Sequence, residues 1–441
     1  MKLSGWGRYP VLEARTHSPR SVDALQQLVL SEPSLIARGR GRAYGDSAIN
    51  TFATIETRYL NRMLAFDPAA GQLVAESGVL LEDIISAFLP RGWFPLVTPG
   101  TKFVTLGGAI AADVHGKNHH KDGSFRACVD WIDMMAPDGE SRRCSLQDDA
   151  TLFDHTLGGM GLTGIILRSA IRLRPVETAW IRQTTLAAPN LKAAMDAFEA
   201  AQDATYSVAW IDCLGTGGNL GRSLVMLGEH AARADLSSEQ AQAPLQIKPK
   251  RKLSVPIDFP AVTLNSLTVR AFNALYYWVG TRKTGTQLVD WDSYFYPLDA
   301  ILGWNRIYGR KGLVQFQCVL PLDQSEAGLM ALLAEIAKVG SGSFLAVLKR
   351  LGKQESAFSF PMEGYTLALD FPVTPKTLAL LERLDKITIK HGGRFYLAKD
   401  GRMSSGTLHA SDDRAAGFRA HRDSKGLTSR FRSAQSERLA L

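Results

Sequence analysis

Three glycine-rich segments constrain the fold of this chain more than any other feature of its sequence. They are Ala37–Asp46 (ARGRGRAYGD), Thr98–Gly116 (TPGTKFVTLGGAIAADVHG) and Gly158–Ile166 (GGMGLTGII). Glycine lacks a Cβ and adopts positive φ, so such loops let backbone N–H groups approach an anion or a flat ligand. Taken singly, the first loop is more simply a basic surface turn, and the second is equally consistent with a packed helix–strand contact. All three segments indicate places where the backbone can lie close to a ligand or to a neighbouring element.

The spacing of these glycines excludes the common nucleotide loops. In the first segment the third glycine comes one residue too late for G-x-G-x-x-G, and no Gly-Lys-Ser/Thr follows it. The third segment contains a formal G-x-G-x-x-G from Gly159 to Gly164, but a dinucleotide fingerprint must open a helix. Here Ile165–Leu173 alternates apolar and polar residues, which predicts a strand. A nicotinamide site is therefore not expected.

Composition narrows the class of protein and its compartment. The chain has 441 residues, 45% of them hydrophobic and 21% charged, and a net charge of +8, which is ordinary for two or three globular domains. It has no run of 18 apolar residues and no apolar stretch near its start, so neither a transmembrane helix nor a signal peptide is expected. The four cysteines have no CxxC spacing, which favours a reducing compartment. These features predict a cytoplasmic protein.

His115, His119 and His120 crowd one segment, but they lack the HExxH pattern or a carboxylate at ligand spacing. Surface or ligand-facing histidines are the simpler interpretation, and no metal is expected.

The pattern of apolar residues predicts an α+β protein in three parts. Strand and helix signals alternate in residues 1–178, residues 179–393 predict an antiparallel sheet with flanking helices, and residues 394–441 are expected to pack back on the first part. In the second part, Ala232–Pro260 is expected to be an irregular, mobile loop. The predicted strands there are Leu313–Leu320, Phe344–Leu351, Tyr365–Phe371 and, at the boundary, Arg394–Ala398, and the predicted helices include Glu326–Val339 and Pro375–His391.

Longer motifs then carry a family resemblance over nearly the whole chain. They are GWGRYP, ARGRGRAYGDSA, TPGTKFVTLGGAIAADVHGKNHHKDGSF, GGMGLTGII, YPLDAILGWNRIYG, LVQFQCVLP, FPMEGYTLALDFP and GGRFYLAKDGRM, between Gly5 and Met403. The chain resembles the vanillyl-alcohol-oxidase-type FAD-binding family and, within it, the oxidases of polyprenyl-phosphate-linked ribose. The resemblance implies a PCMH-type FAD-binding domain in residues 1–178, a substrate-binding domain in residues 179–393, and a C-terminal segment that returns to the FAD domain.

The same resemblance implies how the cofactor is held. Many relatives have a histidine in the first loop that bonds covalently to the flavin, and this chain has Arg42 in its place, so FAD is expected to bind non-covalently. The cofactor contacts that the resemblance implies are Ala37, Arg38, Gly39, Arg40, Gly41, Arg42, Ala43, Tyr44, Gly45, Asp46, Ser47, Gly100, Thr105, Leu106, Gly107, Gly108, Ala112, Asp113, Val114, His115, Ile166 and Tyr396.

The resemblance also implies the groups that meet the substrate. Lys399 is expected beside the flavin and the sugar, where a cation stabilises developing negative charge, and His115 is the candidate for handling the proton. The substrate-binding candidates are Tyr44, Gln315, Gln317, Lys349 and Lys399. Independently of any family, the two-residue spacing of the glutamines on a predicted strand places both on one face, which is equally typical of a half-exposed strand.

The resemblance implies FAD-dependent oxidation of the 2-hydroxyl of a polyprenyl-phosphate-linked ribose to the 2-keto sugar, the first half of epimerisation to the arabinose form. A separate NAD(P)H-dependent keto-sugar reductase is the implied partner. The enzyme alternative is an alditol or aldonolactone oxidase that acts on free sugars.

A third class is a non-enzymatic basic protein that binds membrane lipid or nucleic acid through Lys248–Lys252 and the C-terminal tail. This run and its apolar neighbours allow a peripheral contact with the inner face of a membrane. Nucleic-acid binding is not expected, because no helical basic stripe or interleaved aromatic pattern accompanies the run.

Overall fold

The computed structural model describes residues 1–248, 250, 252–260 and 263–441, and its first part builds the frame for the glycine loops. The helices α1 and α2 begin and end close to where their apolar stripes predict; Ser21 caps α1 by accepting a hydrogen bond from the Ala24 N–H. The elements of this part are β1 Lys2–Ser4, β2 Val11–Glu13, β3 Thr16–His17, α1 Val22–Ser31, β4 Ile36–Arg38, β5 Thr54–Glu56, β6 Met63–Asp67, β7 Gln72–Glu76, α2 Leu81–Phe88, β8 Trp93–Pro95, α3 Leu106–Ala111, α4 His119–Asp122, β9 Val129–Met135, β10 Ser141–Ser145, α5 Ala150–Thr156 and β11 Ile165–Pro175.

Two sheets place the glycine loops in this part. A small parallel sheet in the order β3-β5-β4 leads directly into the first loop, which follows β4. An antiparallel sheet in the order β10-β9-β11-β7-β6, with β8 also paired to β11, packs its apolar face against α2 and α3. The third glycine segment ends at the start of β11, as its alternating pattern predicts, and does not open a helix.

The second part is built on one large antiparallel sheet. Its order among the described residues is β16-β12-β14-β13-β19-β20-β18-β21. The elements are β12 Trp180–Ala188, α6 Leu191–Ala200, β13 Tyr206–Ile211, β14 Ser223–His230, α7 Ser238–Ala241, β15 Leu253–Ser254, α8 Ser266–Thr281, β16 Gly285–Asp290, α9 Trp291–Phe295, β17 Ile301–Leu302, β18 Leu313–Pro321, α10 Leu322–Val339, β19 Ala346–Leu351, β20 Gly364–Pro372, α11 Pro375–Lys390 and β21 Arg394–Phe395.

The two faces of this sheet differ in chemistry. Phe316, Leu348 and Leu369 belong to the apolar face, which packs against α6, α10 and α11 in the largest core of the molecule. The opposite face carries the intervening residues of the same strands, among them Gln315 and Gln317. The sequence therefore separates core from site by simple alternation along each strand. This mixture of helices and antiparallel sheets confirms the predicted α+β class.

The C-terminal helices contact the first loop. They are α12 Ser405–Ser411, α13 Arg414–Ser424, α14 Leu427–Arg430 and α15 Ala434–Leu439. Phe431 pairs with Leu35 beside β4, and Arg438 on α15 forms ion pairs with two buried carboxylates, Asp46 at 2.7 Å and Asp400 at 2.9 Å. Because Asp46 belongs to the first loop and Asp400 follows Lys399, one guanidinium holds both segments.

Some elements differ from the sequence prediction. The predicted strand Arg394–Ala398 is wrong after Phe395, because the chain leaves the sheet and turns through a short 3₁₀ helix at Leu397–Lys399. The expected loop Ala232–Pro260 contains α7 and β15, and β15 pairs in parallel with β17. Two residues of its basic run, Pro249 and Arg251, lie outside the described residues. Helix α8 was not predicted. A membrane-crossing helix would need more length and apolar character than any helix among the described residues has.

The ion pairs of Arg438 predict a large loss of stability on substitution. Arg438→Met would leave Asp46 and Asp400 buried without their cation, so we expect the free energy of unfolding to fall by about 3 kcal/mol. Arg419→Met is the matched control, since its pair with Asp423 is exposed and contributes less than about 0.5 kcal/mol. Urea unfolding measures both. Equal small losses in the two variants would contradict this account.

Candidate active site

The centre of the site is the polar face of three neighbouring strands. The register pairs Gln315 on β18 with Asp370 on β20, and Gln317 with Ala368. The next strand, β19, places Lys349 on the same face, opposite Thr366. The Gln315 side-chain amide donates a hydrogen bond to Asp370 Oδ1. This face therefore offers amide groups, a carboxylate and an ammonium group within three strands, a set that can bind a polyol and an anion together.

His115, which follows α3, lies over this face. Its Nε2 is 3.1 Å from Gln317 Nε2, and its ring packs near Tyr396 and Phe360. Because an amide nitrogen only donates, the hydrogen bond assigned here puts the ring proton on Nδ1, and this buried Nδ1 has no partner within the described residues. Burial, followed by the positive charge of Lys349 and the neighbouring His119, holds the pKa of His115 well below its usual value. The ring is neutral and presents an unused N–H donor.

The neighbouring histidines are each engaged by the protein. His119 is buried, donates from Nε2 to Gln354 Oε1 and accepts from the Gly352 N–H, and burial lowers its pKa to about 4. His120 is half-buried and donates to the Ala204 carbonyl. The expected surface position is therefore wrong for His119. Within the residues that the structure describes, no three His, Cys, Asp or Glu side chains are grouped to hold a metal ion.

Lys399 joins the C-terminal turn to the first loop. Its Nζ lies 3.9 Å from the centre of the buried Tyr44 ring, a cation–π contact. Burial lowers the pKa of Lys399, and the nearby Asp370 opposes this shift. Burial raises the pKa of Asp370, and hydrogen bonding to Gln315 opposes that shift. The pair thus combines a carboxylate able to take a proton with a cation beside it.

Two further lysines make the site positively charged. Burial lowers the pKa of Lys349 to about 7, with a contribution from the charge of Lys399. Burial also lowers the pKa of Lys117 to about 7, and its ammonium lies over the Tyr294 ring and donates to the Tyr294 carbonyl. Neither lysine forms an ion pair with a described residue, and burying an ammonium group without an anion is costly, so their grouping points to an anionic ligand.

The first two glycine loops lie against each other. A Cβ at Gly39 would be 2.1 Å from Oγ1 of Thr105, the residue that caps α3. Beside this contact a cavity of about 230 Å³ is lined by Trp6, Arg38, Gly39, Arg40, Arg42, Glu56 and Arg58. Arg40, Arg42 and the glycine backbone suit a diphosphate, whereas Arg58 pairs with Glu56 at 3.3 Å and Arg38 donates to the Ser4 carbonyl. Arg42 also stacks over the Trp6 ring, with 4.1 Å from its Cζ to the ring centre. The residues present fit the pyrophosphate of FAD.

The remaining predicted cofactor residues fall into two groups. The side chains of Asp46 and Asp113 are fully used inside the protein: Asp46 pairs with Arg438, and Asp113 accepts hydrogen bonds from Ser124 Oγ and the Arg126 N–H. These two residues fix the loops. The Tyr396 hydroxyl donates to the Ala112 carbonyl and so joins the C-terminal turn to the second loop. The other predicted residues lie along the glycine loops and the adjoining elements: Ala37, Gly41, Ala43, Gly45, Ser47, Gly100, Leu106, Gly107, Gly108, Val114 and Ile166.

Asp370 and Lys117 were not among the site residues predicted from the sequence. The signal for Asp370 was present, since Thr366, Ala368 and Asp370 alternate with apolar residues on one predicted strand. Lys117 lies two residues after His115 in the most distinctive motif of the chain, DVHGKNHH. Both residues interact with groups that the sequence had singled out, Lys399 and Lys349 respectively.

Comparisons with known proteins agree with this geometry. Residues 16–145 match the FAD binding domain family. The chain is 35% identical over 422 residues to a decaprenylphosphoryl-beta-D-ribose oxidase of Mycolicibacterium smegmatis, which covers 93% of this chain and 91% of that protein. It is 32% identical to an uncharacterized protein of Streptomyces coelicolor over 82% of this chain and 100% of the relative. Cytokinin dehydrogenase 5 of Arabidopsis thaliana is 32% identical over 24% of this chain and 20% of its own length.

The contact between the two loops predicts a loss of cofactor on a one-carbon change. Gly39→Ala pushes a methyl group into Thr105, so the loops must separate, and we expect purified protein with much less bound FAD. Gly417→Ala on α13 is the control, because a Cβ there meets no atom within 4 Å. The ratio of flavin to protein absorbance measures the outcome. Full flavin content in Gly39→Ala would exclude this contact as a determinant of binding.

Proposed function

This chain belongs to the decaprenylphosphoryl-β-D-ribose oxidase family and is an FAD-dependent oxidoreductase, and we propose that its substrate is a polyprenyl-phosphate-linked ribose whose 2-hydroxyl it oxidises to the 2-keto sugar. The observation that carries the proposal is that two side-chain amides, Gln315 and Gln317, share one sheet face with Lys349, whose charge also acts on the nearby Lys117. Gln315 and Gln317 suit the hydroxyl groups of a pentose, while Lys349 and Lys117 suit the phosphate. A free alditol or lactone would leave these cations without a partner.

Oxidation of a secondary alcohol removes a hydroxyl proton and a carbon-bound hydride. Bound FAD supplies the hydride acceptor. We assign the proton to Asp370, because this carboxylate lies on the polar face beside Gln315 and its raised pKa makes it a stronger base than an ordinary aspartate. His115 donates from Nδ1 to the substrate in this assignment; it accepts the proton instead only if the Gln317 amide and the ring tautomer are reversed. Lys399 stabilises the negative charge that develops in the transition state.

The proposal also covers the flavin linkage, the division into domains, the partner enzyme and the location of the protein. FAD is held without a covalent bond, because Arg42 stands where relatives have a flavin-linked histidine. Residues 1–178 bind FAD, residues 179–393 bind the substrate and residues 394–441 return to the FAD domain. A separate NAD(P)H-dependent reductase converts the keto sugar to the arabinose form. The protein is cytoplasmic and contacts the inner face of the membrane peripherally, where its lipid-linked substrate resides.

Product trapping tests the proposed reaction. The holoenzyme is turned over with a short polyprenyl-phosphoryl ribose, and the mixture is reduced with sodium borodeuteride. A 2-keto product gives ribose and arabinose that both carry deuterium at carbon 2. Deuterium at another carbon would refute the assigned position. Turnover of free xylitol or a lactone in preference to the lipid phosphate would favour the alternative oxidase.

Lys399 is expected to act on the rate of flavin reduction and not on cofactor binding. Lys399→Ala should keep bound FAD and reduce that rate about 100-fold, the usual effect of removing one preorganised electrostatic group. Lys353→Ala, at an exposed lysine after β19, is the control. Stopped-flow absorbance under anaerobic conditions measures both, and near-normal reduction in Lys399→Ala would remove this residue from the mechanism.

Two variants separate the candidates for the proton acceptor. Asp370→Asn keeps the size of the side chain and the contact with Gln315 but has no basic oxygen, so we expect kcat to fall at least about 100-fold with FAD retained. His115→Asn should weaken substrate binding more than it lowers kcat. The opposite pattern would assign the proton to His115.

The pKa of Lys349 predicts a pH dependence of substrate capture. Below about pH 7 the free enzyme carries the ammonium, and above it the neutral amine predominates. We therefore expect the pH profile of kcat/KM for the phosphate-linked sugar to have an alkaline limb that falls above about pH 7, while ionisation of the base Asp370 gives a separate acid limb that rises with pH, since kcat/KM reports ionisations of the free enzyme. Lys349→Gln should show a low value, reduced about tenfold or more, without this decline. A decline that persists unchanged in the variant would assign it to another group.

A further inference from the structure

Helix α8 is apolar on the side that faces away from the protein. Val269 and Asn273 are its buried residues, and Asn273 hydrogen-bonds Asp212 on the body of the second part. On the opposite side, the exposed fractions are 75% for Leu267, 60% for Leu275 and 53% for Trp278. Together with the exposed Ala271, these three residues form one stripe at helical spacing, which we call the α8 outer face. A helix on the surface of a globular protein ordinarily exposes charged and polar residues there.

The inner edge of α8 adjoins the wall of the candidate active site. Tyr276 packs on Trp210, with ring centres 4.7 Å apart, and Trp210 pairs across strands with Val347 on the polar face of the sheet. Phe272 contacts Phe344, which stacks on Tyr308. Tyr308 belongs to the same apolar cluster as Tyr44 of the first loop. A continuous aromatic path therefore leads from the site to the exposed helix.

The charged residues of the sequence segment that contains α8 are all of one sign. No Asp or Glu occurs between Asp258 and Asp290, while Arg270, Arg282 and Lys283 occur in this stretch. The guanidinium of Arg282 lies over the Trp278 ring, with 3.4 Å from its Cζ to the ring centre, at the C-terminal end of the α8 outer face. An apolar stripe bordered by cations and lacking carboxylates complements a surface that is apolar inside and anionic outside.

We propose that the α8 outer face docks on an anionic bilayer, and that this docking positions the active site over the lipid carrier of its substrate. The proposal deepens the proposed function, on which its second half rests. Trp278 and Arg282 would lie at the level of the lipid headgroups, and Leu267, Ala271 and Leu275 would enter the boundary with the acyl chains. The exposed rings of Phe272 and Tyr276 then offer an apolar surface to the polyprenyl chain beside the bilayer.

Charge and substrate chemistry favour a bilayer over a protein partner as the occupant. A partner protein would have to supply a matching apolar patch together with carboxylates at both ends of the helix. An anionic bilayer supplies both an apolar interior and negatively charged headgroups, and the lipid carrier of the proposed substrate resides in it. The other lysines of this region are engaged in ion pairs, Lys250 with Asp290 and Lys252 with Glu82.

Co-sedimentation of the FAD-loaded full chain with vesicles tests the docking directly. We use equimolar phosphatidylglycerol and phosphatidylcholine, and phosphatidylcholine alone as the uncharged reference. The expected result is binding to the anionic vesicles that falls at least about tenfold in Leu275→Glu and in Trp278→Glu. Leu146→Glu is the matched control, because Leu146 is 69% exposed after β10 in the other large sheet, and it should bind like the unaltered protein.

A fluorescent label makes the test independent of any change in folding. All four native cysteines are buried, so Leu275→Cys gives one accessible thiol for an environment-sensitive dye. A blue shift on adding anionic vesicles, absent in labelled Leu146→Cys, supports insertion of the α8 outer face. No shift, or vesicle binding that is equal in all the glutamate variants, overturns the proposal. A dimer in solution that Leu275→Glu dissociates also overturns it, because a second copy of the chain would then cover this face.

Flavin reduction separates failure of the docking from failure of the proposed function. With a water-soluble short-chain polyprenyl-phosphoryl ribose and no vesicles, the unaltered protein, Leu275→Glu and Trp278→Glu should reduce flavin at equal rates. With the long-chain substrate in vesicles, flavin reduction in the two variants should be slower by the same factor by which their vesicle binding falls. Equal rates in vesicles would overturn the positioning role. Vesicle binding by a protein whose flavin no lipid-phosphate sugar reduces would refute the proposed function and leave the docking intact.

Discussion

The alternation of side chains along three antiparallel strands determines which groups can meet in this protein. On β18, β19 and β20 every second residue enters the core beneath α6, α10 and α11, and the intervening residues must share the opposite face. A shift of one residue in the register of β18 would turn Gln315 and Gln317 into the apolar core and would move Phe316 to the polar face. The large apolar core therefore fixes the position of the polar face, and the chemistry of the site depends on that packing.

The polar face brings charges together at a cost that the rest of the fold offsets. Lys117, Lys349 and Lys399 lie in one region with the carboxylate of Asp370, and burial disfavours the charged form of all four groups. Such an arrangement lowers stability in the absence of an anion and is typical of a site that binds one. The ion pairs of Arg438 hold the first loop and the Lys399 turn in place from the other side.

Local patterns in the sequence predicted much of this structure. The Thr374 cap and Pro375 gave the start of α11, the alternation after Gly164 gave β11, and the two-residue spacing gave the shared face of Gln315 and Gln317. Motif resemblance supplied FAD and the family, both confirmed by the comparisons. The roles of the individual site residues stay predictions.

What the sequence did not predict depends on contacts between distant segments. Asp370 meets Gln315, 55 positions away, and lies near Lys399 only in the folded chain. The strand expected through Ala398 stops at Phe395, because the chain turns out of the sheet to bring Lys399 to Tyr44. Helix α8 was not predicted because its own apolar residues occupy most of its circumference. Its sequence therefore lacks the polar face that marks an ordinary surface helix.

Anaerobic titration of the bound flavin tests the central claim, that the polar face selects a phosphate-linked sugar. The purified holoenzyme is mixed with short polyprenyl-phosphoryl ribose, free ribose or xylitol at equal concentration, and the yellow absorbance is followed. The account predicts rapid bleaching with the phosphate-linked sugar and little with the free ones, and loss of this preference in Lys349→Gln. Equal bleaching by free ribose or xylitol would contradict it.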